Sequence, residues 1–155
     1  MARSAELRDD ELLIDKMFDA PAALVFRLWS DPAHFVRWWG PKGFTCPSAK
    51  LDFRVGGHWE AAILSPDWPP DSMAGVYREI VPNERLVFTF KWAHEGAIET
   101  LVTVTWREEG GRTRQSFHQT PFTSVEERDS HVGGWTECLD KEKAYVETLA
   151  GTEAA

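Results

Sequence analysis

The spacing of apolar side chains changes twice along this chain, and each change marks a different kind of structure. Residues 11–18 carry apolar side chains on alternate positions, which predicts a strand with one buried face. Asp19 is then an N-cap candidate and Pro21 suits the first turn of a helix, since apolar residues recur at helical spacing over 24–29. A second short helix is predicted over residues 31–38.

The middle of the chain consists of short apolar stretches separated by turn residues. The segment 65–71, with three prolines, is predicted to be a loop. Such brief connections favour an antiparallel meander, because parallel strands need crossover segments of about a dozen residues or more. The six strands predicted in this region cover residues 45–53, 57–64, 73–81, 85–92, 98–107 and 112–120.

The spacing becomes helical again after Pro121. Ser124 and Glu127 are spaced as in a capping box, and the apolar stripe that follows predicts a helix of about twenty residues. A helix of that length spans about 30 Å and covers the concave face of a strongly curved sheet. The stripe consists of Val132, Trp135, Leu139, Val146 and Leu149.

The order of these elements predicts an α+β protein of the helix-grip type. In this fold a curved antiparallel sheet of about seven strands surrounds a long C-terminal helix, and two short helices lie between strands one and two. The length of 155 residues fits a single domain over residues 1–155, with a core from about residue 12 to residue 149.

Composition narrows the classes of partner. The net charge of −8, with no block of lysine or arginine, excludes nucleic acid as an expected partner. No apolar segment approaches the roughly 20 residues of a membrane span, and none near the start has signal-peptide length, so we expect no membrane association and a cytoplasmic location. The eight tryptophans favour pockets or interfaces, where an apolar ring meets a polar edge.

Short motifs occur in the order found in one known family. They are FDAP at 18–21, WSDP at 29–32, WWGP at 38–41, GGHW at 56–59, GVYREIVP at 75–82, ERLVFT at 84–89 and GGW at 133–135. On these motifs the chain resembles the bacterial proteins similar to the C-terminal domain of the activator of the 90-kDa heat-shock protein ATPase. That family lies within the START-like superfamily, also called SRPBCC or birch-pollen-allergen-like.

The resemblance implies the helix-grip fold and leaves several activities open. The superfamily includes lipid carriers, plant hormone receptors and polyketide cyclases, so the fold alone does not assign a ligand. The eukaryotic chaperone activator carries an additional N-terminal domain that is not part of these 155 residues. A chaperone is therefore a less favoured partner than a small apolar or aromatic molecule.

Strand alternation predicts a set of aromatic and polar side chains inside the sheet. Only one of the adjacent Trp38 and Trp39 fits easily into a core, so the other is a candidate for the rim of a cavity mouth. The alternative is plain packing under the long helix. The predicted ligand-binding residues are Trp39, Trp59, Tyr77, Glu79, Phe88, Phe90, Trp106, Gln115, Phe117, His131, Trp135 and Leu139.

Three polar residues distinguish a dry core from a polar-lined cavity. Gln115 shares an inward face with Phe117, and Glu79 shares a strand face with Tyr77. Buried polar groups are costly unless they are paired, so Gln115 and Glu79 predict either mutual hydrogen bonds or contact with water and ligand. The alternative is that Glu79 points to solvent and that Glu142 lies at the edge of the helical stripe.

The sequence predicts no metal site, no cofactor and no assigned catalytic residue. The five histidines lack the spacing of zinc ligands, and the glycine pairs are turn residues rather than phosphate loops. Cys46 and Cys138 are expected to be reduced, semi-buried thiols. If a reaction occurs, the hypothesis is that His131, Glu79 or Tyr77 transfers a proton where these side chains converge.

Three functions follow from these observations. The favoured one is binding of a small hydrophobic or aromatic ligand in an internal cavity, without an established reaction. The alternatives are a cavity enzyme of the cyclase, hydrolase or isomerase type and a chaperone-associated protein-interaction module. A homodimer formed through strand edges or tryptophans is a further expectation.

Overall fold

The computed structural model describes residues 8–154, which form seven strands and three helices. In chain order these are β1 Leu12–Phe18, α1 Ala22–Ser30, α2 Pro32–Phe35, β2 Thr45–Leu51, β3 His58–Ser65, β4 Trp68–Val81, β5 Arg85–Trp92, β6 Thr100–Glu109, β7 Arg112–Thr120 and α3 Val125–Ala154. The predicted fold class, a curved antiparallel sheet around a long C-terminal helix with two short helices after the first strand, is confirmed. The extent of the domain over residues 1–155 stays a prediction.

The strands form one sheet in the order β1-β7-β6-β5-β4-β3-β2. The strands from β2 to β7 are therefore a meander, and β1 returns to pair with β7 from Leu12 opposite Gln119 to Phe18 opposite Thr113. This arrangement leaves β1 and β2 as the sheet edges. The homodimer expected through such an edge stays a prediction.

Helix α3 packs across the inner face of the sheet. Trp135, Leu139 and Val146 of the predicted stripe are buried, and Glu142 between them is 0% exposed. The helix begins as predicted, with the Glu127 N–H donating to the Ser124 hydroxyl at 3.0 Å. It has 30 residues rather than about twenty. The additional turns lie beyond the apolar stripe and are held by backbone hydrogen bonds, which the spacing of apolar residues does not predict.

The helices within residues 8–154 include none that is both long enough and apolar enough to cross a membrane.

The start of α1 differs from the prediction. Pro21 occupies the N-cap position without a side-chain hydrogen bond, so Asp19 does not cap the helix. The N–H of Ala22 donates instead to Glu108 Oε1 on β6 at 2.8 Å, and Asp19 accepts from the Arg112 guanidinium at 2.6 Å. A carboxylate from a strand distant in sequence therefore accepts a hydrogen bond from a free N–H at the start of this helix. A local sequence pattern does not reveal such a partner.

Helix α2 has its predicted cap but is shorter than predicted. The Asp31 carboxylate accepts from the N–H of Ala33 at 2.9 Å, and the helix ends at Phe35 rather than at residue 38. The turn that follows buries both Trp38 and Trp39, which are 0% and 2% exposed. Trp39 therefore does not lie at a rim, because leaving the helix frees adjacent side chains to pack into the same core.

Strand β4 begins earlier than predicted. It starts at Trp68 and is joined to β3 by a two-residue turn, so the loop predicted over 65–71 is largely a strand end. Pro69 and Pro70 are tolerated there because β5 pairs with β4 only from Met73 onward, which leaves the start of β4 with one neighbour.

The predicted inward faces of the central strands are confirmed. Trp59 on β3, Phe88 on β5 and Trp106 on β6 are 1%, 3% and 5% exposed, and Phe117 on β7 is 0% exposed. The period of two residues is enough to predict these inward side chains, although Val87 and Thr89 on the other face of β5 are buried as well.

Candidate functional site

A cavity of about 310 Å³ lies between α3 and one end of the sheet. Its walls come from β3, β4, β5, α3 and the chain segment after α2, so it is a product of tertiary packing. The exposed residues His94 and Ser130 mark where it reaches the surface. The lining residues are Trp39, Gly40, Pro41, Ile63, Asp71, Met73, Phe90, Trp92, His94, Ser130, His131, Gly134, Trp135 and Cys138.

Four aromatic rings form much of the wall. Trp135 on α3 lies edge-to-face with Trp39 and with Phe90, at ring-centroid distances of 5.2 Å and 5.9 Å. Phe90 also lies edge-to-face with Trp92, at 5.3 Å. The indole N–H of Trp39 donates to the sulfur of Met73 at 3.4 Å. These contacts fix the orientation of the rings, so the apolar wall is held in place by contacts within the protein.

Gly134 leaves open space on the helical side of the cavity. A Cβ at this position would lie 3.7 Å from Cγ of Pro41, which is another residue that lines the cavity. The position therefore faces the cavity. At Gly133 a Cβ would meet no atom within 4 Å, and this residue is exposed. The two adjacent glycines of α3 therefore face the cavity and the solvent respectively.

His131 is held at the mouth by two hydrogen bonds. Its Nδ1–H donates to the carbonyl of Glu127 at 2.9 Å, and its Nε2 accepts from the indole N–H of Trp92 at 3.1 Å. An imidazole that donates from one nitrogen and accepts at the other is the neutral form. The ring of His94 stacks on Trp92 at a centroid distance of 6.2 Å. Both imidazoles therefore contact the same indole.

Asp71 on β4 supplies a carboxylate to the cavity. Its Oδ1 accepts from the N–H of Ser72 at 2.8 Å, and the residue is half-buried. It lies opposite Ile63 in the β3–β4 ladder. The pairing directs its side chain to the face that the Ile63 side chain also occupies.

Cys138 is an apolar part of the wall rather than a nucleophile. The thiol is 2% exposed and lies 3.6 Å from the carbonyl of Trp38. Burial raises the pKa of Cys138 to about 12, so the thiol is neutral near neutral pH and unreactive. Cys46 and Cys138 are both free and buried.

A buried polar network lies beside the cavity, between α1, α3 and two strands. The Glu142 carboxylate accepts from the Trp29 indole at 2.8 Å and from the Gln115 amide at 2.9 Å. The side-chain carbonyl of Gln115 accepts from the Trp106 indole at 2.8 Å. Burial is the largest cause that raises the pKa of Glu142 to about 8. None of these four side chains lines the cavity.

Four of the predicted binding residues line the cavity: Trp39, Phe90, His131 and Trp135. Seven others lie inside the protein but elsewhere. Three of these pack around a void of about 10 Å³, which holds at most a single water. The seven are Trp59, Tyr77 and Phe88 at that void, Trp106 and Gln115 in the polar network, and Phe117 and Leu139 in the core.

Glu79 is the predicted binding residue that lies outside. A register shift between Tyr77 and Glu79 on β4 is a β-bulge, so the two side chains do not share a face. The Glu79 carboxylate accepts from Arg85 at 2.9 Å, and its side chain is 47% exposed. Tyr77 borders the small void, whereas His131 lines the cavity. The predicted convergence of these groups for proton transfer is therefore wrong.

The sequence did not predict that Asp71 and Met73 line the cavity. Asp71 falls in a segment predicted to be a loop. Met73 is the first residue of a predicted strand for which the sequence does not decide which face points inward. The available signal is the strand pairing, in which Met73 lies opposite Trp92 and Asp71 opposite Ile63. Since both partners are predicted to point inward, a correct hairpin register identifies Asp71 and Met73 as well.

Comparisons with known proteins agree with this architecture. A family model described as Activator of Hsp90 ATPase homolog 1-like protein matches residues 19–147. A solved structure from Chromobacterium violaceum is 25% identical with a TM-score of 0.84, over 90% of this chain and 99% of that chain. An AHSA1 protein from Silicibacter pomeroyi is 25% identical with a TM-score of 0.80, over the same shares of 90% and 99%.

A third solved structure, from Rhizobium leguminosarum, is 26% identical with a TM-score of 0.76, over 89% of this chain and 94% of that chain. No curated protein matches the sequence. The similarity therefore extends along nearly the whole length of these structures and comes without an assigned ligand.

Proposed function

The chain belongs to the family of Activator of Hsp90 ATPase homolog 1-like proteins, and from that premise we propose that it binds a small apolar or aromatic molecule in the cavity beside α3. The observation that carries the proposal is an aromatic-walled space of about 310 Å³ that reaches the surface at one end. Small-molecule sites commonly have volumes of about 300 to 1,000 Å³ and mostly apolar walls with a few polar groups. A compact ligand is therefore proposed.

The chemistry of the lining supports binding rather than reaction. Burial keeps the Cys138 thiol neutral, and both ring nitrogens of His131 are engaged in hydrogen bonds. A nucleophile beside a free general base, which covalent catalysis requires, is not formed by these two groups. We also propose that the protein acts in the cytoplasm, a location supported by its two free cysteines.

Titration of intrinsic tryptophan fluorescence tests the proposal. Three indoles, those of Trp39, Trp92 and Trp135, line the cavity, so an occupant changes their environment directly. A panel of fatty acids, flavonoids and polycyclic aromatic compounds is expected to contain members that give saturable quenching. The same members should raise the melting temperature, because a ligand that binds only the folded state stabilises it.

A pair of glycine variants connects the signal to this cavity. Gly134→Leu places a side chain beside Pro41 and fills the space, whereas Gly133→Leu adds the same side chain on the exposed side of the helix. We expect Gly134→Leu to weaken binding at least about tenfold, because a side chain that occupies the site should reduce the binding free energy by about 1.4 kcal/mol or more. Gly133→Leu should bind like the parent protein. Equal binding by both variants, or no binding by the parent across the panel, contradicts the proposal.

A further inference from the structure

We infer that the cavity prefers a cationic ligand, a compact molecule whose ammonium group lies among the aromatic rings and beside the Asp71 carboxylate. This inference rests on the proposed function and adds the chemical class of the ligand. It follows from the charges, rings and hydrogen-bonding groups that surround the cavity.

The residues that line the cavity carry formal charge of one sign. Asp71 is the lining residue with a formal charge, and the lining contains no lysine or arginine. Oδ1 of Asp71 accepts from the N–H of Ser72. Within residues 8–154 no cationic side chain forms an ion pair with this carboxylate. A half-buried carboxylate without a protein cation can act as the counter-ion of a cationic ligand.

Lys141, a cationic residue of α3 that contacts two lining residues, is already satisfied by other groups. The Lys141 ammonium donates to the carbonyls of Gly40, Pro41 and Phe44 at 3.0, 3.5 and 3.0 Å. It does not line the cavity, although Gly40 and Pro41 do. The Lys141 ammonium therefore binds the chain segment after α2 and is not directed at a ligand in the cavity.

The aromatic wall also suits a cation. Trp39, Phe90, Trp92 and Trp135 lie in edge-to-face contact around the same space. Tryptophan is the side chain whose ring attracts cations most strongly, and groups of aromatic rings bind quaternary ammonium ions. Three of the four rings here are indoles.

The histidines of the mouth already use ring nitrogens in hydrogen bonds within the protein. His131 uses its N–H on the carbonyl of Glu127 and its other nitrogen on Trp92. His94 directs Nδ1 to the carbonyl of Glu95 at 3.3 Å. Together with a net charge of −8 for the whole chain, this lining disfavours anions and raises the local concentration of cations.

Calorimetric titration with two probes of nearly equal shape tests the charge preference. The probes are 3-(trimethylammonio)phenol and 3-tert-butylphenol, compared at a pH where both phenols are protonated. The first carries a permanent positive charge and the second is neutral. We expect the cation to bind about tenfold more tightly, the effect of a partly desolvated cation among aromatic rings beside a carboxylate.

Asp71→Asn identifies the contribution of the carboxylate. This change should weaken binding of the cation about fivefold or more and leave the neutral probe unchanged. Asp67→Asn is the matched control, because Asp67 is an exposed residue of the same hairpin that does not line the cavity. It should leave the affinities for both probes unchanged.

Two outcomes separate this inference from the proposed function. If the neutral probe binds as tightly as the cation and Asp71→Asn affects neither, the charge preference is overturned and the apolar binding site stands. If neither probe binds, nor any member of the fluorescence panel, both the inference and the proposed function fail.

Discussion

Glu142 shows how a single residue can contradict the apolar pattern around it. It lies on the buried stripe of α3 and is 0% exposed, yet it carries a carboxyl group. The Trp29 and Gln115 side chains donate to it, which makes its burial tolerable. Desolvation nevertheless outweighs these donors and raises its pKa to about 8.

The raised pKa predicts that stability falls as the pH rises. The unfolded chain releases the Glu142 proton near its ordinary pKa of 4.5, whereas the folded protein keeps it up to about pH 8. Between these values unfolding releases a proton, so the free energy of unfolding should fall by up to about 1.4 kcal/mol per pH unit. Urea unfolding at a series of pH values measures this slope.

Two glutamine variants assign the slope to its residue. Glu142→Gln removes the buried ionisable group and should flatten the dependence between these pH values. Glu79→Gln removes an exposed carboxylate on β4, and the slope should persist. A slope that survives in Glu142→Gln as strongly as in the parent would show that another group causes it.

At the scale of elements, regular periodicity is what the sequence reveals best. The faces of β3, β5, β6 and β7 follow from alternation alone, as the buried Trp59 and Phe117 illustrate. Within the sheet, the errors occur where the period is broken, at the bulge after Tyr77 and at the start of β4. A bulge is set by cross-strand geometry rather than by residue type, so Glu79 could not be placed outside from its spacing.

One lysine of α3 makes several of the polar contacts to the segment after α2. Lys141 holds the carbonyls of Gly40, Pro41 and Phe44, and burial lowers its pKa. Lys141→Met keeps most of the aliphatic stem but removes the donors. It should lower the free energy of unfolding by about 1.5 to 3 kcal/mol, the range for hydrogen bonds to charged groups.

Lys50→Met is the control for this element contact. Lys50 is a lysine on β2 whose side chain is 85% exposed, so its removal should change stability by less than about 0.5 kcal/mol. Chemical denaturation of the two variants and the parent measures the difference. Equal stability of the two variants would mean that the Lys141 contacts do not hold this segment.

At the scale of the whole molecule, the fold was predictable and the cavity was not. The order of elements and the family motifs were enough for the helix-grip architecture. The cavity requires the ends of three strands, the segment after α2 and the cavity-facing Gly134 to meet around one space. That convergence depends on hairpin register and on a small helical residue, and neither is visible in the average apolar pattern.

The distribution of tryptophan predicts how the molecule unfolds. Seven of the eight indole N–H groups donate hydrogen bonds within the protein, and these residues lie on α1, β3, β5, β6, α3 and the turn after α2. Trp68, at the start of β4, is 66% exposed. Fluorescence of these seven residues therefore reports on five of the ten elements and on the turn after α2.

We expect urea unfolding followed by tryptophan fluorescence and by far-ultraviolet circular dichroism to give one transition with the same midpoint, the behaviour of a single cooperative domain. Trp68→Phe removes the exposed reporter and should alter the free energy of unfolding by less than about 0.5 kcal/mol, because a surface substitution disturbs no packing. The two transitions should still coincide in this variant. The circular dichroism signal is dominated by the 30-residue helix, whereas most of the fluorescence comes from rings packed against the strands. Separate midpoints would therefore mean that α3 and the sheet unfold independently.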